Sequence, residues 1–109
     1  MASGSGVCLQ IDSREVPLIQ GIDELVRKRM LPGGIQSNQE FVGDGVQFQP
    51  SVPKSLRQIL FDPQTSGGLL LSVPEESASQ LLQRFEKAGV FGRVVGQVKS
   101  RELAYLEVK

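Results

Sequence analysis

At 109 residues the chain is long enough to bury one core and too short for two substantial ones. With 39% apolar and 22% charged residues it falls within ordinary globular composition, which excludes a disordered or fibrous chain. Twelve basic and twelve acidic residues cancel and are scattered, so no basic stripe exists to hold a nucleic-acid backbone.

Met1–Gly6 is small and polar, without the basic-then-apolar pattern of a secretory signal, and reads as a linker or an added start; residues 7–109 read as a single domain. Val7, Leu9 and Ile11 alternate with Cys8, Gln10 and Asp12, the period of a half-buried strand. Ile22, Leu25, Val26 and Met30 then recur at helical spacing, with Asp23 and Glu24 early and Arg27 to Arg29 late, as the helix dipole favours. That helix should stop before Leu31-Pro32-Gly33-Gly34. Residues 35–50 have weak periodicity and many turn formers, so a loop-rich excursion with at most one helical turn is expected. Pro53 opens a short helix whose Leu56, Ile59 and Leu60 share a face, ending at Asp62-Pro63 because a residue before proline is pushed out of the helical region.

The run Leu69 to Val73 is short and continuously apolar, and reads as a strand covered on both faces at the centre of the sheet. Pro74, Glu75 and Glu76 start a helix with Ala78, Leu81, Leu82 and Phe85 on one stripe and Gly89 as a C-terminal cap. Val94 to Val98 and Leu103 to Val108 give two further strands, joined across Lys99 to Glu102 as a hairpin. The fold expected is α/β (α+β), a mixed sheet of about four strands with helices packed on it.

No histidine is present, which removes the usual hydrolytic triads and most zinc sites. Neither the phosphate-binding loop ending in Gly-Lys-Ser/Thr nor the dinucleotide fingerprint occurs. No apolar stretch approaches the roughly twenty residues of a membrane span. The single Cys8 excludes an internal disulfide and fits a reducing, cytoplasmic setting. It lies in a strand with no neighbour to activate it and reads as a small buried side chain. Gly33 and Gly34, with Asn38 nearby, either let a ligand approach the backbone or simply stop a helix.

Asp62 to Gly68 is richer. It sets a carboxylate, an amide, two hydroxyls and two unhindered glycine amides in seven residues. Successive amides at such a turn can form an anion-binding nest, and a tight turn leading into a strand accounts for the same residues.

Leu60-Phe61-Asp62-Pro63-Gln64-Thr65-Ser66-Gly67-Gly68-Leu69-Leu70 is similar, nearly letter for letter, to a hallmark segment of selenophosphate synthetases (selenide, water dikinases). Val16-Pro17-Leu18, Pro32-Gly33-Gly34 with Asn38, Val73-Pro74, Ala88-Gly89-Val90 and Val95-Gly96-Gln97-Val98 also resemble that family, so the likeness runs from about Gly6 onward. The resemblance implies the C-terminal domain of an aminoimidazole ribonucleotide synthetase-like protein, part of an enzyme that uses ATP, Mg2+ and selenide to make selenophosphate, releasing AMP and phosphate. It further implies a homodimeric parent whose N-terminal domain supplies most ATP and metal ligands.

The family's catalytic cysteine or selenocysteine with its lysine, its magnesium-holding aspartates and its Thr-Gly-Phe-Gly stretch have no counterpart here, and Cys8 does not match the nucleophile in context. No catalytic residue, metal ligand or tightly bound cofactor is therefore expected in this chain, and the chain alone is expected to be inactive. Asp62, Gln64, Thr65, Ser66, Gly67 and Gly68 are the phosphate-facing candidates, with Gly33, Gly34 and Asn38 as secondary ones. Partners implied are the N-terminal domain and the substrates selenide and ATP, without nucleic acid or membrane. A non-catalytic binding module of this fold, or a purine-pathway synthetase relative, are the alternatives.

Overall fold

The computed structural model describes all residues, Met1 to Lys109. Its elements are α1 (Ala2–Ser5), β1 (Val7–Ile11), α2 (Ile22–Arg27), α3 (Gly34–Val42), a 3-10 turn (Gly43–Gly45), β2 (Val46–Phe48), α4 (Lys54–Ile59), α5 (Glu75–Lys87), β3 (Gly96–Ser100) and β4 (Leu106–Val108). The strands form one mixed sheet in the order β2-β4-β1-β3. β1 runs antiparallel to β3 and parallel to β4, which is in turn parallel to β2. An α/β fold with a four-stranded mixed sheet is thus observed.

The alternation read in β1 sorts its residues between the two faces. Gln10 stands opposite Gln97 and Glu107, and Glu107 opposite Gln47, so a row of polar side chains crosses all four strands. Gln97 Nε2 donates to Gln10 Oε1 at 3.0 Å and Gln10 Nε2 to Glu107 Oε2 at 3.2 Å. Gln10 is only 9% exposed, and these bonds satisfy a side-chain amide that would otherwise be costly to bury. The other face carries Leu9, Leu106, Val46 and Val98 at one level and Ile11, Val108 and Phe48 at the next. The Phe48 ring meets Phe61 with centroids 5.8 Å apart, and Arg57 stacks on Phe48 while its guanidinium donates to the carbonyls of Val52 and Gln49, both at 2.9 Å. These contacts tie α4 to β2 by both apolar area and hydrogen bonds.

Three expectations are corrected. Leu69 to Val73 is not a strand: the run lies outside the sheet and is exposed, Leu69 by 91%. The central place expected for it is held by β1, whose two edges are taken by β3 and β4, and an apolar run does not by itself name the surface that covers it. The fourth strand is instead β2, inside the segment read as loop-rich, where the nine-residue α3 also forms. β2 is too short for its alternation to register, and α3 buries only Ile35 among polar neighbours, so neither produced a clear period.

The third correction concerns the last two strands, which are not a hairpin. β1 lies between them, and the five residues from Arg101 to Tyr105 carry the chain past it. Five extended residues reach about 17 Å, more than the roughly 10 Å between strands that flank a third, so the linker length fits either arrangement. β3 also begins at Gly96 rather than at Val94, and β4 at Leu106 rather than Leu103.

α2 and α4 form where expected, α2 ending at Arg27 and turning through Arg29 at φ 56°. α5 also forms, with Ala78, Leu81, Leu82 and Phe85 half-buried and Gly89 at φ 66° beyond its end. Ala2–Ser5 form a helical turn against β1.

Gly96 faces the backbone of β1 so closely that an added Cβ would run into the Gln10 carbonyl oxygen. Gly96→Ala should therefore separate β3 from β1 and cost about 2 kcal/mol or more. The check is a lowered denaturant midpoint at constant slope; an unmoved midpoint would contradict this pairing.

Candidate functional site

The turn from Asp62 to Gly68 follows directly on α4. Phe61 N donates to Gln58 O and Asp62 N to Ile59 O, so the helix tightens into its last turn and then breaks at Pro63. From Gln64 to Val73 no backbone amide donates a hydrogen bond within the chain. The side chains of Asp62, Thr65 and Ser66 likewise hold no internal hydrogen bond or ion pair. Pro63 through Gly68 are exposed and Asp62 is half-buried. The turn thus presents a run of N–H donors and two hydroxyls without internal partners to solvent.

Within the turn Gln64 folds back over Gly67, where a Cβ would lie 2.9 Å from Gln64 Oε1 and 3.3 Å from Gln64 Cβ. Gly67 is bare because its neighbour occupies the space, whereas nothing lies within 4 Å of the corresponding position at Gly68.

The structure also brings the secondary candidates to this turn, though in another role. Asn38 Nδ2 donates to the Phe61 carbonyl oxygen at 2.9 Å, across 23 residues of sequence. The Pro63 ring rests on Gly34, where an added Cβ would meet Pro63 Cγ at 2.7 Å. Asn38 and Gly34 therefore touch the protein itself, and Gly33 faces open space. Sequence reasoning left Gly33-Gly34 as either a ligand approach or a helix stop and missed that this segment contacts the turn; the bare second glycine of the pair was the available signal.

Cys8 stands apart from this turn, in β1, and is 2% exposed. Burial, and then the Glu107 carboxylate, push its thiol above the ordinary value, which holds it protonated and unreactive. No three His, Cys, Asp or Glu side chains converge in the structure. No helix is long and apolar enough to cross a membrane.

No protein-family model matches the chain. Curated proteins do. Selenide, water dikinase 2 of Peptoclostridium acidaminophilum is 40% identical over 103 residues, 94% of this chain and 29% of that protein. The selenide, water dikinase of Clostridioides difficile is 35% identical over 109 residues, 99% of this chain and 31% of its own. That of Treponema denticola is 41% identical over 88 residues, 81% and 25%. The chain is homologous to part of a selenide, water dikinase. The family resemblance read from the sequence is thereby borne out, and the chain spans about three tenths of the length of the dikinases it matches.

The state of Cys8 sets a pH dependence for the stability of this chain. A thiol whose folded pKa is raised above the unfolded 9.0 contributes fully below that value, and its contribution falls as pH rises beyond it, where the unfolded chain releases the proton first. Folded protein should leave Cys8 unlabelled by a thiol reagent at pH 8, with labelling tracking unfolding, and the Cys8→Ala variant should lose less stability than wild type between pH 8 and 10. Rapid labelling without unfolding would contradict the assignment.

Proposed function

We propose that the chain is the C-terminal part of a selenide, water dikinase, and that its turn from Asp62 to Gly68 lines the phosphate side of a composite active site. The observation that carries this reading is the run of unbonded amides and hydroxyls from Gln64 through Gly68, held at one end by α3 and α4 and open to solvent. In the parent enzyme ATP and selenide, with water, give selenophosphate, AMP and phosphate. Charge moves among phosphoryl oxygens in such a reaction, so fixed donors aimed at them stabilise the transition state.

On this reading Thr65 and Ser66 donate their hydroxyls, and Gly67 and Gly68 their amides, to phosphate oxygens or to water bound there. Gln64 stiffens the turn through Gly67, and Pro63 fixes its shape. No residue of this chain acts as nucleophile or proton carrier. Mg2+, bound in the parent with ATP, would be held by carboxylates of the N-terminal domain, as the family resemblance implies.

The apolar side chains left in solvent, among them Leu69, Leu70, Leu71 and Phe91, support a large partner surface, which the N-terminal domain of a homodimeric, cytoplasmic parent would supply. A purine-pathway relative gains no support from the names of the matched proteins.

Replacing Thr65 and Ser66 together by alanine in the full-length enzyme removes two donors to a charged group and should lower kcat/KM for selenophosphate formation at least ten-fold. The thermal midpoint should stay within about 2 °C, because exposed side chains without partners contribute little to stability. Unchanged specific activity with a lowered midpoint would leave the turn a purely structural one.

A further inference from the structure

We propose that Asn38 and Gly34 of α3 are positioning residues for the turn from Asp62 to Gly68, forming a clamp that sets its backbone course without touching the ligand. The functional half of this inference rests on the phosphate-facing reading above.

The clamp acts on three consecutive residues. Asn38 Nδ2 holds the Phe61 carbonyl at 2.9 Å, which fixes the plane of the Phe61–Asp62 peptide. That carbonyl lies past the end of α4, where helical carbonyls lack partners of their own, so the side chain satisfies a group that would otherwise turn to water. Asp62 is restricted by the proline that follows it. Pro63 has its φ fixed by its ring, and the ring is seated on Gly34.

Beyond Pro63 no backbone amide is bonded until Ser77 donates to Pro74 O. The turn therefore has no hydrogen-bond ladder of its own, and its direction of entry is imposed from α3. Phe61 is fixed at its other end by the ring contact with Phe48, so the clamp transmits the position of the sheet to the turn. Donors ordered in advance bind an anion without first losing conformational freedom, and a loosened clamp should weaken binding with every ligand-facing donor still present.

The two glycines of the pair separate this account from one in which the segment contacts ligand. A Cβ at Gly34 would meet Pro63 Cγ at 2.7 Å, while one at Gly33 meets nothing within 4 Å. Gly34→Ala should disturb the turn and Gly33→Ala should not. Direct ligand contact through the backbone predicts that Gly33→Ala also weakens binding.

The experiment uses the 15N-labelled chain, with the amides of Leu9, Val98 and Val108 in the sheet reporting that each variant is folded. The first readout is the heteronuclear NOE of the Thr65 to Gly68 amides without ligand. It should fall in Asn38→Ala and in Gly34→Ala and stay at the wild-type value in Gly33→Ala. The second is titration of the full-length enzyme, labelled to report the same amides, with inorganic phosphate and, separately, ATP. Wild type should show saturable shifts in the same amides, with the dissociation constant raised about five-fold by Asn38→Ala, the equivalent of one lost hydrogen bond.

Asn38→Asp adds a pH signature. Its carboxylate faces the Phe61 carbonyl at neutral pH and loosens the turn, whereas the protonated acid donates in place of the amide, so order relative to wild type should return between about pH 5 and pH 3. Unchanged order in both Asn38→Ala and Gly34→Ala, or no recovery of Asn38→Asp at low pH, overturns the clamp. Absence of saturable shifts in wild type overturns the phosphate-facing reading, and with it the functional half of the proposal.

Discussion

The Phe61 residue is where the sheet, α3 and α4 meet, and the candidate site hangs from it. Its ring packs on Phe48 of β2, its amide closes the last turn of α4, and its carbonyl receives the Asn38 side chain. Three directions of constraint on one residue leave the following Asp62-Pro63 step little freedom, and proline removes most of what remains. The open donors from Gln64 onward are then carried on a rigid base even though they make no bonds of their own. Rigid support beneath an unbonded turn is the arrangement a binding loop needs, since the donors must stay free for a ligand yet be found in place.

Much of this was legible in the sequence where a local rule had enough residues to act on. The alternation of β1, the stripe of α5 with Gly89 beyond it, and the break at Asp62-Pro63 each rest on a pattern long or strict enough to exclude rivals. The Gly33-Gly34 pair announced a close approach, but not the identity of the approaching group, because bare backbone suits a ligand and a proline ring equally. What the residues could not disclose was pairing. β3 and β4 are joined by a linker whose length permits adjacency or a step across a third strand, and β1 takes the place between them. Leu69 to Val73 looked like the best-buried strand because its residues are apolar, whereas β2 earns its place through Phe48 and the contacts of Arg57, which arise only once α4 has folded against it.

The comparisons with selenide, water dikinases span most of the chain, whereas the geometry bears on one stretch of it. Sequence likeness relates the chain to part of a selenide, water dikinase but says nothing of what each residue touches. The structure finds amides and hydroxyls without partners and a gripping segment behind them. It places no cluster of carboxylates and no reactive thiol beside the turn, since Cys8 is buried in β1 with its proton held on.

The seating of the Pro63 ring on Gly34 and the Asn38 bond to Phe61 together hold the turn, and both are directly observable. A nuclear Overhauser spectrum of the chain should contain cross-peaks between the Gly34 α-protons and the Pro63 ring protons, together with peaks from the Asn38 side-chain amide to residues Phe61 and Asp62. Their presence establishes that α3 holds the turn. A well-dispersed spectrum of the folded chain in which Gly34 shows no peak to Pro63 would contradict it.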